Sequence, residues 1–230
     1  SNLTIFPLLN TSHVIIFSGA WWGCQNLTSF PLLDSSKVTD MWQTWNGCIR
    51  LTSFPLIDTS SVTNFQGAWF MCYGLTSFPA IDTSKGELFD STWAYCTSLT
   101  SFPLINTSRG ITFRQAWQNC YALTSFPALD FSHGLEFGSV WGYGAWQGCT
   151  SLVDFPPNLF DNCKAYTFNY AWSNCALSQQ SVDNILTSID TAGQQNGRLD
   201  INGGTSSPPG PAGQVAKANL VAKGWTVITN

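Results

Sequence analysis

The sequence predicts an α/β solenoid, a stack of short coils rather than a domain folded around one central sheet. Three observations predict it. The string Leu-Thr-Ser-Phe-Pro opens at Leu27, Leu51, Leu75, Leu99 and Leu123, always 24 residues apart. A Trp column (Trp21, Trp45, Trp69, Trp93, Trp117, Trp146, Trp172) and a Cys column three residues later (Cys24, Cys48, Cys72, Cys96, Cys120, Cys149, Cys175) keep the same beat. Degraded copies at Leu3 and Leu152 extend it at both ends. A period of 20–30 residues makes each repeat one coil whose core its neighbours complete. We expect about seven coils over residues 1–177 and a different C-terminal cap over 178–230.

Each column has a chemical reading. In Leu-x-x-Phe-Pro-x-x the Leu, the Phe and the apolar pair after the Pro (Leu56-Ile57, Ala80-Ile81) match the strand of a leucine-rich-repeat-like coil, with those side chains in the core. The Thr-Ser pairs then face outward, and a Pro without an N–H ends each short parallel strand. Next stands Asn10, Asp34, Asp58, Asp82, Asn106 and Asp130, mostly followed by Thr-Ser. Such a residue bonds its own backbone two positions on and makes a turn. Stacked carboxylates repel, and the neighbouring column His13, Lys37, Ser61, Lys85, Arg109, His133 relieves that; Ca²⁺ between the Asp residues is the alternative.

A second apolar segment follows (Val38 to Met41, Val62 to Phe65, Leu88-Phe89, Ile111 to Phe113, Leu135 to Phe137), read as a second strand. A compact helical turn then carries the Trp and Cys, with a small residue before each Trp for close packing. One Cys per coil does not converge on a metal, and stacked equivalents do not face one another for a disulfide. The column reads as buried thiols. Cys163 is off-column and is the candidate for a bridge, to Cys149 or Cys175.

Irregularities mark working surfaces. Leu123 to Leu152 spans 29 residues rather than 24, and the excess lies in the Gly- and aromatic-rich stretch 138–144. Three Trp stand outside the ladder. Trp22 shares a column with Asn46, Ala94, Gln118 and Gln147, Trp42 shares one with Ser18, Gln66, Asp90 and Arg114, and Trp141 lies in the insertion. Exposed aromatic rings beside amides and hydroxyls build carbohydrate sites. The candidate ligand-binding residues are therefore Trp22, Trp42, Trp141 and Tyr143, with the Thr-Ser stripe Thr52, Ser53, Thr76, Ser77, Thr100 and Ser101. Edge packing against a neighbouring coil or subunit is the alternative.

From Ser178, the expected N-cap, the chain reads as helix (179–190), strand (198–202), helix (214–223) and strand (225–229), a cap that seals the last repeat.

Composition narrows the function. Only 10% of residues are charged, against roughly 25% in an average domain. A net charge of −4 gives no field for nucleic acid, and no apolar run approaches the roughly 18 residues of a membrane span. Two distant His, two Glu (Glu87 and Glu136) and Asp residues held in turns leave no catalytic constellation, so no enzyme, cofactor or metal is expected. The chain opens inside a repeat, so we expect sequence upstream or a subunit covering that end. The sequons at Asn2, Asn10, Asn26 and Asn106 are short enough to arise by chance.

The run Gly47-Cys48-Ile49-Arg50-Leu51-Thr52-Ser53-Phe54-Pro55 resembles the repeats of BspA-like leucine-rich-repeat surface proteins, a likeness shared across 1–177. The segment Asp58 to Asn64 is similar to allied bacterial lipoprotein repeats of about 25 residues. The ending, Asp200 to Gly204 and Gly224 to Val227, resembles the C-terminal closure of repeat proteins of phages and aquatic bacteria, including tail-fibre components. Trp replaces the Phe more usual in the ladder, so no binding residues carry over. The resemblance implies adhesion or recognition outside the cell, on a bacterial surface or virion, with a glycan or surface protein as partner. The alternative is a structural protomer that stacks end to end or laterally into an extracellular filament.

Overall fold

A computed structural model describes residues 4–230; the opening of the first repeat at Leu3 and the sequon at Asn2 lie outside them. Single parallel bridges join successive coils at Ile16, Asp40, Asn64, Leu88, Thr112, Glu136 and Thr167. The continuous ladder therefore runs through the second apolar segment. The Leu-Thr-Ser-Phe-Pro segment is the expected strand, but among the described residues it bridges only at Ile5–Ser29 and Ser125–Asp154. Its Pro lacks a donor, and the Thr52, Thr76 and Thr100 amides reach the preceding coil at 3.3–3.4 Å, against 2.9 Å for Thr39 and Thr63. Of the apolar pair only the second member is core: Ile57 is buried while Leu56 faces solvent.

The expected helical turn before each Cys is absent. In its place the chain makes successive four-residue turns, shown by Ala20, Trp22 and Cys24 donating to the carbonyls of Phe17, Gly19 and Trp21. The intervening amides of Gly19, Trp21 and Gly23 donate across to Trp42, Thr44 and Asn46 of the next coil. Every fourth residue carries a positive φ: Gly19 and Gly23, Gln43 and Gly47, Gly67 and Met71, Ser91 and Tyr95. A left-handed residue at that frequency forbids an α-helix. It also turns each peptide alternately along its own coil and toward the next one.

The turns hold the large rings inward. Trp21 to Trp172 stack with centroids 5.0–6.0 Å apart and planes within 11°. A parallel file, Phe6 to Phe155, stacks at 5.4–6.2 Å. The files meet edge to face, as Trp45 and Phe54 do at 4.7 Å. Six ladder indoles, Trp45 through Trp172, have an N–H with no hydrogen-bond partner. Such an orphan costs about 1–3 kcal/mol. Burying roughly 200 Å² of ring returns about 5 kcal/mol, so the ring wins.

The turn column behaves as its chemistry requires. Asn10, Asp34, Asp58, Asp82, Asn106 and Asp130 each accept, through Oδ1, the amide two residues on at 2.9–3.2 Å. The buried hydroxyls beside them (Thr11, Ser35, Thr59, Thr83, Thr107) donate to the next coil's turn carbonyl at 2.5–2.7 Å. The bonds from Ser36 and Ser84 hold Asp34 and Asp82 below the usual carboxylate range.

All eight cysteines are buried and free, Cys163 included. The expected bridge from Cys163 is not made, because its thiol points to the Gly134 carbonyl at 3.4 Å. The column thiols donate to the Trp carbonyl of the preceding coil at 3.1–3.4 Å. Burial pushes Cys48 and Cys149 up to about 12 and Cys163 to about 11.

The last coils are larger. The strands β3 (Thr167–Phe168), β4 (Arg198–Ile201) and β5 (Thr226–Thr229) continue the parallel ladder. Between them lie α1 (Gln179–Ala192) and α2 (Pro211–Ala222), packed on each other. Ser178 caps α1, and Val182, Ile185, Leu186 and Ile189 close the core. Ser181 and Ser188, buried on α1, accept the amides of Phe155 and Phe160 at 2.8 and 2.7 Å. Helix α2 starts at Pro211, three residues ahead of expectation, because Pro suits the first helical position. No helix among the described residues is long and apolar enough to cross a membrane.

Two outcomes follow from the turns and the thiols. Met71→Gly relieves a left-handed side chain (φ 60°) and should raise the urea midpoint, by about 0.5 kcal/mol in stability; Gly47→Ala (φ 75°) should lower stability by about 1–2 kcal/mol. In a thiol titration the native protein should leave all eight cysteines unreactive and the denatured protein expose them. Folded thiols keep protons that unfolded thiols, near 9, release. Stability should therefore hold below pH 9 and fall as pH climbs toward 12.

Candidate functional site

The ladder carries a polar face along one edge. Asp40 accepts the Trp42 amide at 2.8 Å and the Ser18 hydroxyl at 2.5 Å, and Asn64 accepts the Gln66 amide at 3.0 Å. These side chains also bond between coils: Asn64 Nδ2 to Asp40 at 3.1 Å and Gln66 Nε2 to Asp90 at 3.4 Å. Arg114 continues the chain. Its Nε and Nη2 reach Asp90 Oδ2 at 3.1 and 2.9 Å, and its Nη1 lies 3.2 Å from Glu136. A run of amides, Gln115 to Gln118 to Gln147, lies alongside at 2.8 and 2.6 Å.

Two clefts open on this face. One, of about 330 Å³, is lined by Trp42, Gln43, Asn46, Gln66, Asp90 and Gln115, among others. The other, of about 250 Å³, is lined by Arg114, Glu136, Ser139, Val140, Trp141 and Tyr166 with their neighbours. The Asp90–Arg114 ion pair stands between them, one partner lining each cleft, so the two lie along one polar face with an exposed ring in each. Trp42 is 45% exposed and Trp141 82%.

The insertion builds the second end. Residues 138–144 form a hairpin, with β1 (Gly138–Ser139) antiparallel to β2 (Tyr143–Gly144). Ser139 accepts the Trp141 amide at 3.0 Å, and Gly142 sits at φ 89°. A Cβ on Gly138 would meet the Asn169 backbone, and one on Gly144 the Tyr170 carbonyl. The two glycines let the hairpin root close against the following coil, which leaves Val140 and Trp141 projecting.

The other candidates are placed differently. Trp22 is 63% exposed, but its column does not face outward along its length: Ala94 and Gln118 are buried. That polar column packs between coils as the amide run and turns outward mainly where Trp22 stands. Tyr143 is half-exposed on β2 and lines neither cleft. Thr52, Ser53, Thr76, Ser77, Thr100 and Ser101 are exposed but do not line the clefts either. The Thr52 and Thr76 hydroxyls reach a preceding carbonyl at 3.4 and 3.3 Å. Sequence reasoning missed Tyr166, which precedes the ladder residue Thr167 as Leu135 precedes Glu136 but is displaced from the 24-residue beat by the irregular coil, and it missed the Arg114 pairing with Asp90 between the clefts.

The two clefts offer donors, acceptors and ring faces. Among the described residues no group of three His, Cys, Asp or Glu gathers to hold a metal. The Ser12 and Ser132 hydroxyls lie beside His13 and His133, which stand five periods apart.

The sequence matches no protein-family model and no curated protein. The fold is similar to the crystal structure of a leucine-rich-repeat protein of T. pallidum, with 15% identity and a TM-score of 0.51 over 98% of this chain and 86% of that one. The architecture is thus a solenoid of the leucine-rich-repeat type.

Proposed function

We propose that this chain is a non-catalytic recognition module that works outside the cell and binds a glycan along the polar face. The observation that carries the reading is the pair of solvent-exposed rings, Trp42 and Trp141, in two neighbouring clefts of amides, carboxylates and Arg114 along one polar face. Sugar rings present apolar C–H faces to aromatic rings and hydroxyls to amides and carboxylates. The two Trp are four coils apart, about 19 Å at the ordinary strand spacing. An extended oligosaccharide suits that span better than a single sugar. The eight thiols suit an oxidising compartment despite being unpaired, because burial keeps them out of reach.

A second reading, a protomer of a filament, draws on a different surface. Leu8, Leu32, Leu56 and Leu104 form an exposed apolar stripe on the face of the Leu-Thr-Ser-Phe-Pro segments. Such a stripe suits lateral packing of a second copy.

A glycan array followed by titration separates the two. The recognition reading expects a monomer that selects oligosaccharides, with Trp42→Ala and Trp141→Ala each weakening binding about tenfold. Absence of glycan binding, or binding that both variants leave intact, contradicts it. Concentration-dependent assembly that Leu56→Asp abolishes would favour the filament.

A further inference from the structure

A third cleft shares no lining residue with the two Trp clefts, and its chemistry differs. It encloses about 490 Å³ and is lined by Glu87, Arg109, Ile111, His133, Leu135 and Lys164. Ile111 and Leu135 each precede a ladder residue, Thr112 and Glu136, and form an apolar floor. Arg109 and His133 follow the Asp-type turns of two successive coils, and Lys164 comes from the coil after them.

The charge here runs against that of the whole molecule. The chain carries −4 overall and has only nine Lys and Arg and two His. Two of the nine and one of the two line this cleft, against one carboxylate. Glu87 takes a single contact from Arg109, Nη2 to Oε1 at 3.1 Å, and the Arg109 side chain stays 60% exposed. A guanidinium has five donors in a planar fork, so most of them remain available to an incoming acid group. The Ser132 hydroxyl lies 3.3 Å from His133 Nδ1, which leaves Nε2 for a ligand.

We propose that this cleft binds a small organic carboxylate. Its acid group would sit against Arg109, His133 and Lys164, and its apolar body on Ile111 and Leu135. The volume falls in the range of small-molecule sites. The apolar floor disfavours a fully hydrated inorganic anion, which would lose water there without compensation. A net negative chain attracts no anion by its overall field, so capture depends on these particular side chains. The site is separate from the Trp clefts and does not rest on the glycan reading.

Benzoate is the probe, titrated into the full chain by NMR, with benzyl alcohol as the neutral analogue and inorganic phosphate as the anion without an apolar body. One benzoate site is expected, with weaker binding of both controls. Arg109→Ala and Lys164→Ala should each weaken benzoate about fivefold. Both side chains are exposed, and circular dichroism checks that the variants fold. Lys37→Ala, in the same column as Arg109 but three coils away, should leave binding unchanged. Glu87→Gln should strengthen binding, because it frees Arg109 from its ion pair with Glu87. Equal binding of benzyl alcohol, equal losses in Lys37→Ala and Arg109→Ala, or no benzoate binding by the folded protein would overturn the proposal.

Discussion

Everything in this molecule is registered on identical aromatic rings placed one coil apart. The Trp file repeats at 5.0–6.0 Å, slightly longer than the ~4.8 Å between hydrogen-bonded strands. A ring stack and a backbone ladder can therefore run side by side without strain. The ladder alone is thin: before β3 it consists mostly of single bridges. The turn amides add further backbone bonds between coils, such as Gln43 to Gln66 and Trp45 to Ala68, and ring burial supplies the large apolar contact that these bonds do not. The orphaned indole N–H groups show the order of the forces. The chain gives up six buried donors to keep six large flat surfaces in register.

That constraint explains where recognition chemistry is located. A coil whose interior is committed to Trp, Phe, Leu and Cys has only its outward columns to vary. The Trp clefts and the basic cleft both arise there. The hairpin at 138–144 adds an element the coil core does not need, and two glycines root it against the next coil's backbone. The C-terminal helices close the stack by supplying apolar side chains and, through Ser181 and Ser188, acceptors for amides of the preceding coil.

Much of this was readable in the sequence. The period specifies the solenoid, the Trp and Cys columns mark the core, and the Asx-type turns follow from a short polar side chain beside its own backbone. The assignment of strand and turn was not readable. Leu-x-x-Phe looks like the principal strand until the Pro and the long Thr amide contacts are weighed. The turn residues look helical because compact polar-apolar mixtures suit both, and only the positive φ at Gln43, Met71 or Tyr95 separates them. Of the candidate site, Trp42 and Trp141 were found by their misfit to the ladder. Trp22 is exposed as its misfit suggested, but its polar column mates such as Gln118 bond to one another between coils instead of facing water. Tyr166 was missed because the irregular coil shifts it out of the 24-residue beat, and Lys164, off-pattern beside Asp154 and Asp161, reads from the sequence as part of a variant turn.

The central claim is that the ring file couples the coils, and equilibrium urea unfolding of Trp93→Ala beside Trp21→Ala tests it most directly. Trp93 stacks on Trp69 and Trp117, whereas Trp21 stacks on Trp45 alone among the described Trp residues. The coupled ladder predicts a loss of about 3–5 kcal/mol at Trp93 and a clearly smaller loss at Trp21. A Trp93→Ala protein within about 1 kcal/mol of the parent, the ordinary cost of an average substitution, would contradict the account.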